Sequence, residues 1–250
     1  ALAPRAFVES CGIQFPSKDP TALPELSPTY ESNVPGIYVI GALAGYPLIK
    51  QAMNQGYEVV EFIQGNKVKP ADEPLLEEKF KSLLDRYTVD DLLAAIQKTI
   101  PVFSGLTILQ LREVLLGSEV RALKEGEVVF ERNEFTNTFF TVFEGKVAIQ
   151  VDPDDREDDV ILGPGSFFGE MGLISGRRRS ATVVAHSPCV LIETARREMI
   201  KLIKSSPKVR DSIDRAAVER QIRTYLAPNL SREDMDSVLK TAKLRSFKAN

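Results

Sequence analysis

The residues best suited to chemistry lie close together: Gly169, Glu170, Met171 and Gly172, then Arg179, Ser180 and Ala181, with Gly163-Pro164-Gly165 just upstream. A glycine followed by Glu-Met-Gly-Leu is expected to open a helix. The first N–H groups of such a helix lack intrahelical partners and carry the positive end of its dipole, so they favour an anion. Gly169 and Gly172 remove side-chain bulk, Arg179 offers a planar fork of donors to phosphate oxygens, and Ser180 and Ala181 present further amides. Glu170 is out of place beside a bare phosphate, which it would repel. It makes sense as an acceptor for a ribose hydroxyl, so the set suits a ribose cyclic phosphate better than a free phosphate. The plainer reading is a surface loop with a solvated run from Arg177 to Arg179.

The whole pattern from Phe168 to Thr182 resembles the phosphate-binding cassette of cyclic nucleotide-binding domains, the family of the bacterial catabolite activator protein and the regulatory subunits of protein kinase A. The resemblance implies that Glu170 accepts from the ribose 2′-OH and that Arg179 pairs with the cyclic phosphate. Arg178 stands where many relatives carry proline. Ser180 matches the bacterial activator more closely than the alanine of many kinase subunits, and its hydroxyl leaves the preference between adenine and guanine open. In the family a terminal helix closes over the base. Here Val218, Ile222, Tyr225 and Leu226 form a stripe at helical spacing, suited to core or dimer packing, with Ile222 or Tyr225 as a lid the sharper option.

The elements that must carry this cassette can be read on either side of it. Val147, Ile149 and Val151 alternate with polar positions, and Thr138 to Phe143 is apolar on both faces, as in a strand of a closed roll. Ala181 to Ala185 and Cys189 to Glu193 give two more strands around His186-Ser187-Pro188. Helices are predicted over Ala195 to Ser205, ended by Pro207, and over Val209 to Leu226. The fold class expected is α+β, a β-roll of jelly-roll-like barrel type with flanking helices, plus an N-terminal strand-helix fragment and a helical connector.

Residues 230–250 align without gaps on residues 106–126: Leu230 falls on Leu106, Met235 on Leu111, Val238 on Val114 and Phe247 on Leu123. Each copy reads as a short helix capped by Thr107 or Ser231 and leading into a strand. A second, truncated cyclic nucleotide-binding domain is expected at 230–250, after a first at 106–229. The chain opens on Ala rather than Met, and the expectation is a piece of a longer protein.

Residues 1–66 read differently. Asn33 to Ala42 has the punctuation of a buried strand, and a helix is predicted from Pro47 to Phe62 with Ile49, Met53, Tyr57, Val60 and Phe62 as its apolar stripe. This segment resembles the C-terminal end of the FAD-binding domain of thioredoxin-reductase-like oxidoreductases. There the strand ends in Gly-Asp, and here it ends in Gly41-Ala42, without the acid. No Gly-x-Gly-x-x-Gly and no Cys-x-x-Cys occurs, so no catalytic residues and no hydride transfer are expected of this chain, and FAD belongs to an intact parent enzyme. Between them, residues 67–105 form a connector. Leu76, Phe80, Leu83, Leu84 and Tyr87 lie at helical spacing, and Thr88 with Asp91 resembles a capping box before Leu92, Leu93 and Ile96. These two helices suit signal transmission, a dimer seam or, as the preferred reading, a solvated linker.

Bulk properties bound the rest. The 250 residues are 43% hydrophobic and 27% charged with net charge −3, ordinary for a globular protein and against a dedicated nucleic-acid binder. The longest apolar stretch, Ile37 to Ile49, is too short and too broken to span a bilayer. Two distant cysteines and one histidine suggest neither a metal site nor a redox pair, and Cys189 sits in an apolar run suited to a buried thiol. The combined expectation is a cytoplasmic regulatory module that binds a cyclic nucleotide, cAMP ahead of cGMP, and controls an oxidoreductase domain in cis. The alternative is an oxidoreductase piece whose roll serves assembly alone.

Overall fold

The computed structural model describes the chain except for residues 1–3, 19, 21, 47–48, 151–158, 171–177, 226, 228–229 and 242–250, and leaves the side chains at 205, 223–225, 232, 236 and 241 undescribed. Two four-stranded antiparallel sheets form the roll. One has the order β1-β8-β3-β6 and the other β2-β7-β4-β5. The strands run β1 Ser118–Leu123, β2 Val128–Phe130, β3 Thr138–Glu144, β4 Val147–Gln150, β5 Val160–Leu162, β6 Phe167–Phe168, β7 Thr182–Ala185 and β8 Cys189–Ala195. β3 is paired along both edges, to β8 and β6, and its two-faced apolarity comes from lying between two cores: Phe139 and Phe143 pack with the helices, Phe140 and Val142 inside the roll. β4 does not keep the simple alternation expected of it, because Ala148 is buried with Val147. The His186-Ser187-Pro188 turn carries the chain from the second sheet to the first. Gly145 at the facing turn has φ +74, and a Cβ there would meet Pro188 O at 2.1 Å, so only glycine fits.

The helices are α1 Arg5–Ser10, α2 Ile49–Ile63, α3 Glu73–Lys79, α4 Val89–Thr99, α5 Ile108–Leu116, α6 Arg196–Ser205, α7 Pro207–Tyr225 and α8 Arg232–Thr241 among the described residues. None is long and apolar enough to cross a membrane. Thr88 with Asp91 and Thr107 with Gln110 close reciprocal capping boxes at the starts of α4 and α5. Ser231 accepts from the Asp234 amide at the start of α8, the position equivalent to Thr107 and Gln110. Residues 242–250, over which the repeat read in the sequence would run on into a strand, lie outside the described residues. Pro207 begins α7 rather than merely ending α6, because proline is tolerated in a first helical turn, where its missing N–H is not needed.

The connector is not a solvated linker. Leu76, Phe80, Leu83, Leu92, Leu93, Ile96 and Ile100 share one core with Phe139, Phe143 and Ile192 of the roll and with Met199, Val209 and Ile213 of α6 and α7. Arg112 of α5, 3% exposed, locks it by hydrogen bonds to Asp72 at 2.5 Å and Glu73 at 2.7 Å.

The N-terminal expectations need two corrections. Residues 33–42 form no strand beyond an isolated Glu31–Tyr38 bridge, followed by a 3-10 turn at Gly41–Ala44. A strand needs a neighbour for its amides, and here Ser32, Ile37 and Val39 bond within a tight loop around Pro35-Gly36 instead. In α2 the expected apolar stripe faces outward, with Ile49, Met53, Tyr57 and Val60 exposed. The buried residues are Gln55, Glu58 and Val59: Gln55 accepts from the Gly41 amide, and Glu58 accepts from Tyr30 Oη at 2.7 Å and the Ala71 amide. This unit is seated on the rest of the chain by Tyr46, whose hydroxyl donates to Leu109 O, and by Lys201, whose Nζ donates to Gly45 O.

Candidate functional site

The approach to the cassette is a tight turn. Gly165 sits at φ +84 with Thr99 O of α4 2.5 Å from where a Cβ would be, and its amide donates to Val142 O. β6 then pairs Phe167 and Phe168 with Thr141 and Phe140. Phe168 stacks on Phe140 at 5.1 Å, nearly parallel, and tilts against Phe130 at 5.9 Å. This aromatic layer fixes where the chain leaves the sheet. Gly169 follows at φ +86, and a Cβ there would lie 2.6 Å from Arg179 Nη1 and 3.0 Å from Thr138 O. Glycine is required twice over, for its backbone angle and for the guanidinium beside it.

Glu170, the next residue, is 1% exposed. Its Oε2 accepts from Nη1 of Arg220, a side chain from the middle of α7. Nη2 of the same arginine donates to Phe167 O, and its guanidinium carbon lies 5.2 Å from the centroid of the Phe167 ring. Met171 and Gly172, and the amides expected from them, lie outside the described residues.

Arg179 returns to the same place from the far end of the cassette and is 4% exposed. Its Nε donates to Thr136 Oγ1 at 2.6 Å, Nη1 to Gly169 O at 3.3 Å, and Nη2 to Thr138 O at 2.8 Å and Thr138 Oγ1 at 3.2 Å. The guanidinium lies over the Phe130 ring at 4.1 Å. Its backbone is pinned on both sides, the amide to Glu134 O and the carbonyl to the Asn133 amide. Burial pushes the guanidinium pKa down, while Glu134, Glu193 and Glu170 pull it back up. These carboxylates act at a distance: among the described residues none forms an ion pair with Arg179, and every hydrogen-bond acceptor it uses is neutral. A buried cation satisfied only by neutral oxygens still lacks a counter-charge.

The structure therefore brings Gly169, Glu170 and Arg179 together. Ser180 is exposed and Ala181 half-buried at the start of β7. Ile222 is half-buried on α7, and the side chain of Tyr225 lies outside the described residues. Of the stripe read from Val218 onward, Val218 and Ile222 are half-buried, and Leu226, like the side chain of Tyr225, lies outside the described residues. Among the described residues the fully buried face of α7 is Val209, Ile213 and Ala217, and Arg220 continues that face at the next turn. Arg220 is the residue that sequence reasoning missed. Its only sequence signal is being the first charged residue at an inward spacing on that helix. Cys189 is buried as expected and Cys11 exposed. Among the described residues no group of three His, Cys, Asp or Glu side chains could hold a metal ion.

Residues 120–206 match the family model of the cyclic nucleotide-binding domain. A putative potassium channel protein from Rhodopseudomonas palustris is 33% identical over 115 residues, covering 46% of this chain and 28% of that protein. A cyclic nucleotide-gated potassium channel from Rhizobium etli is 35% identical over 122 residues, 49% of this chain and 33% of the channel. The chain thus spans about a third of the length of these channels. Among solved structures, the Thermus thermophilus catabolite activator protein is 26% identical with TM-score 0.42, covering 56% of this chain and 63% of that one. The regulatory domain of Toxoplasma gondii PKA with cAMP is 18% identical with TM-score 0.43, covering 56% and 55%. The similarity to cyclic nucleotide-binding domains thus covers the segment with the cassette, residues 120–206.

Proposed function

We propose that the roll binds a cyclic nucleotide, cAMP ahead of cGMP, at the junction of β6, Gly169-Glu170 and Arg179, and that it works as a regulatory module by binding without turnover. Arg179 pairs with the cyclic phosphate, and Glu170 accepts from the ribose 2′-OH. Backbone amides at Gly169, Met171, Gly172, Ser180 and Ala181 line the phosphate. Ile222 and Tyr225 stand on the helix that closes over the base. The observation that carries this reading is Arg179, a buried guanidinium stacked on Phe130 that lacks an ion-paired carboxylate among the described residues and lies beside the one buried acid of the cassette. An anionic ligand supplies the missing counter-charge. The family match over residues 120–206 and the cyclic nucleotide named in the Rhizobium etli relative's description support the same ligand class.

The regulated activity belongs to the same proposal: an FAD-dependent oxidoreductase in cis, for which only the sequence resemblance of residues 33–62 speaks, with its helix but not its strand formed in the fold, and a further nucleotide-binding copy beginning near Leu230. Calorimetric titration of the 250-residue chain with cAMP and with cGMP tests the ligand assignment. Saturable binding, tighter for cAMP than for cGMP, is expected; the reverse order overturns the preference, and no heat with either up to millimolar concentration refutes the ligand assignment. A flavin absorbance band in the protein purified from its native source tests the redox half.

A further inference from the structure

We propose that Arg220 is a built-in competitor for the ribose seat, a latch on α7 that an incoming nucleotide displaces; this rests on Glu170 being the acceptor for the ribose hydroxyl. In the arrangement seen here, one guanidinium covers three things at once: the Glu170 carboxylate, the Phe167 carbonyl at the end of β6, and the face of the Phe167 ring. The Glu170 side chain is only 2% exposed, so neither of its oxygens is open to a hydroxyl while Arg220 is seated. Arg220 itself is 31% exposed and so has a way out to solvent.

The position is dictated by packing. Val209, Ile213 and Ala217 bury the inner face of α7 against the core, and Arg220 continues that face at the next turn, which delivers its guanidinium to the cassette. Opening the latch therefore acts on α7 directly, and α7 packs on the connector through the turn Pro101–Phe103.

The competition has a definite chemistry. A guanidinium-to-carboxylate bond is charge-assisted, whereas a ribose hydroxyl offers a neutral donor to the same oxygens, so the sugar alone does not win the seat. The phosphate must contribute through Arg179. A ligand with both groups opens the latch, and a ligand lacking the 2′-OH occupies Arg179 without unseating Arg220. Affinity for the full nucleotide is then reduced by the fraction of molecules in which the seat is taken.

The test uses the whole 250-residue chain, wild type and Arg220→Gln, titrated with cAMP and with 2′-deoxy-cAMP. Arg220→Gln is expected to bind cAMP ~10-fold more tightly, as for a seat about nine-tenths occupied. The ratio of cAMP to 2′-deoxy-cAMP affinity should widen, because the hydroxyl no longer has to break an ion pair. Binding by the variant alone supports the latch as well. Wild-type binding with equal or weaker binding by the variant overturns the latch and leaves the proposed function standing. No binding by either protein overturns both. Should Arg220→Gln fail to fold, hydrogen exchange of the wild type decides: cAMP is expected to speed amide exchange around residues 215–222 and 2′-deoxy-cAMP is not. Unchanged or slower exchange with bound cAMP refutes the latch.

Discussion

Replacing Arg179 with methionine separates its two roles, because the structure assigns opposite signs to its contributions to folding. The side chain donates to Thr136 Oγ1, Thr138 Oγ1 and the carbonyls of Thr138 and Gly169. The hydroxyls can turn to other partners, which leaves two carbonyls short of a donor at about 1–3 kcal/mol each. Against that, the substitution removes a buried cation that lacks an ion-paired carboxylate among the described residues, relieving a penalty of several kcal/mol. Methionine also keeps the contact with the Phe130 ring that the guanidinium makes at 4.1 Å. The two terms are of similar size, so Arg179→Met should change stability by about 2 kcal/mol or less in either direction. Binding has no such compensation. Loss of a charged hydrogen bond to phosphate costs ~1.5–3 kcal/mol, or roughly 10- to 150-fold in Kd. Urea denaturation and calorimetric titration with cAMP on the same preparation check both halves. A folded variant with a Kd within threefold of wild type refutes the assignment of Arg179 to the ligand.

The other predictions concern the frame. Arg112→Met should destabilise by about 3–5 kcal/mol in urea melts, because it strands Asp72 and Glu73 beside a buried site. Burial pulls the Arg112 guanidinium down, and the hydrogen bonds and charges of these two acids more than reverse it. Gly169→Ala places a Cβ 2.6 Å from Arg179 Nη1 at φ +86, so it should cost ~1–3 kcal/mol and weaken cAMP binding as Arg179 is pushed aside. A thiol reagent at pH 8 should titrate Cys11 at once and Cys189 only on unfolding, since burial raises the Cys189 pKa. Tyr30 and Tyr46 are raised well above the ordinary tyrosine value, mainly by burial, with Glu58 and Glu113 the leading carboxylates that add to it. Their neutral forms are favoured in the folded state, so the stability they hold is complete below about pH 10 and is lost as pH climbs beyond it. Alkaline difference spectra should show these two phenols ionising together with unfolding, and early ionisation of all six tyrosines refutes the placement.

What could be read from the sequence was whatever is decided within a few residues or by a repeated pattern. β3 was legible because Phe139 to Phe143 is apolar on both faces, as a strand covered on both faces must be, and in the fold those faces meet two separate cores. The capping boxes at Thr88 and Thr107 were legible because donor and acceptor stand three residues apart. Gly169, Glu170 and Arg179 were singled out because the whole pattern from Phe168 to Thr182 resembles a known cassette, and the fold brings these three together.

The failures share one cause, which is that a partner distant in sequence made the choice. Residues 37–40 have the composition of a strand, but strand geometry needs a neighbouring ladder, and the loop around Pro35-Gly36 takes those amides first. In α2 the helix was correct and its orientation inverted. Gly41, Tyr30 and Ala71 offer hydrogen bonds to Gln55 and Glu58, so the polar face turns inward and the apolar stripe outward. Arg220 is the sharpest instance, because Arg210, Arg215 and Arg223 flank it on the same helix and nothing local distinguishes them. What selects Arg220 is the phase set by Val209, Ile213 and Ala217, and that phase is known only once α7 is seated on the core. The same dependence makes Arg220 a reporter. Because its reach to Glu170 requires α7 to be seated in this register, a movement of α7 by even one residue's rotation removes the ion pair, and the acid's accessibility then reads the position of the helix.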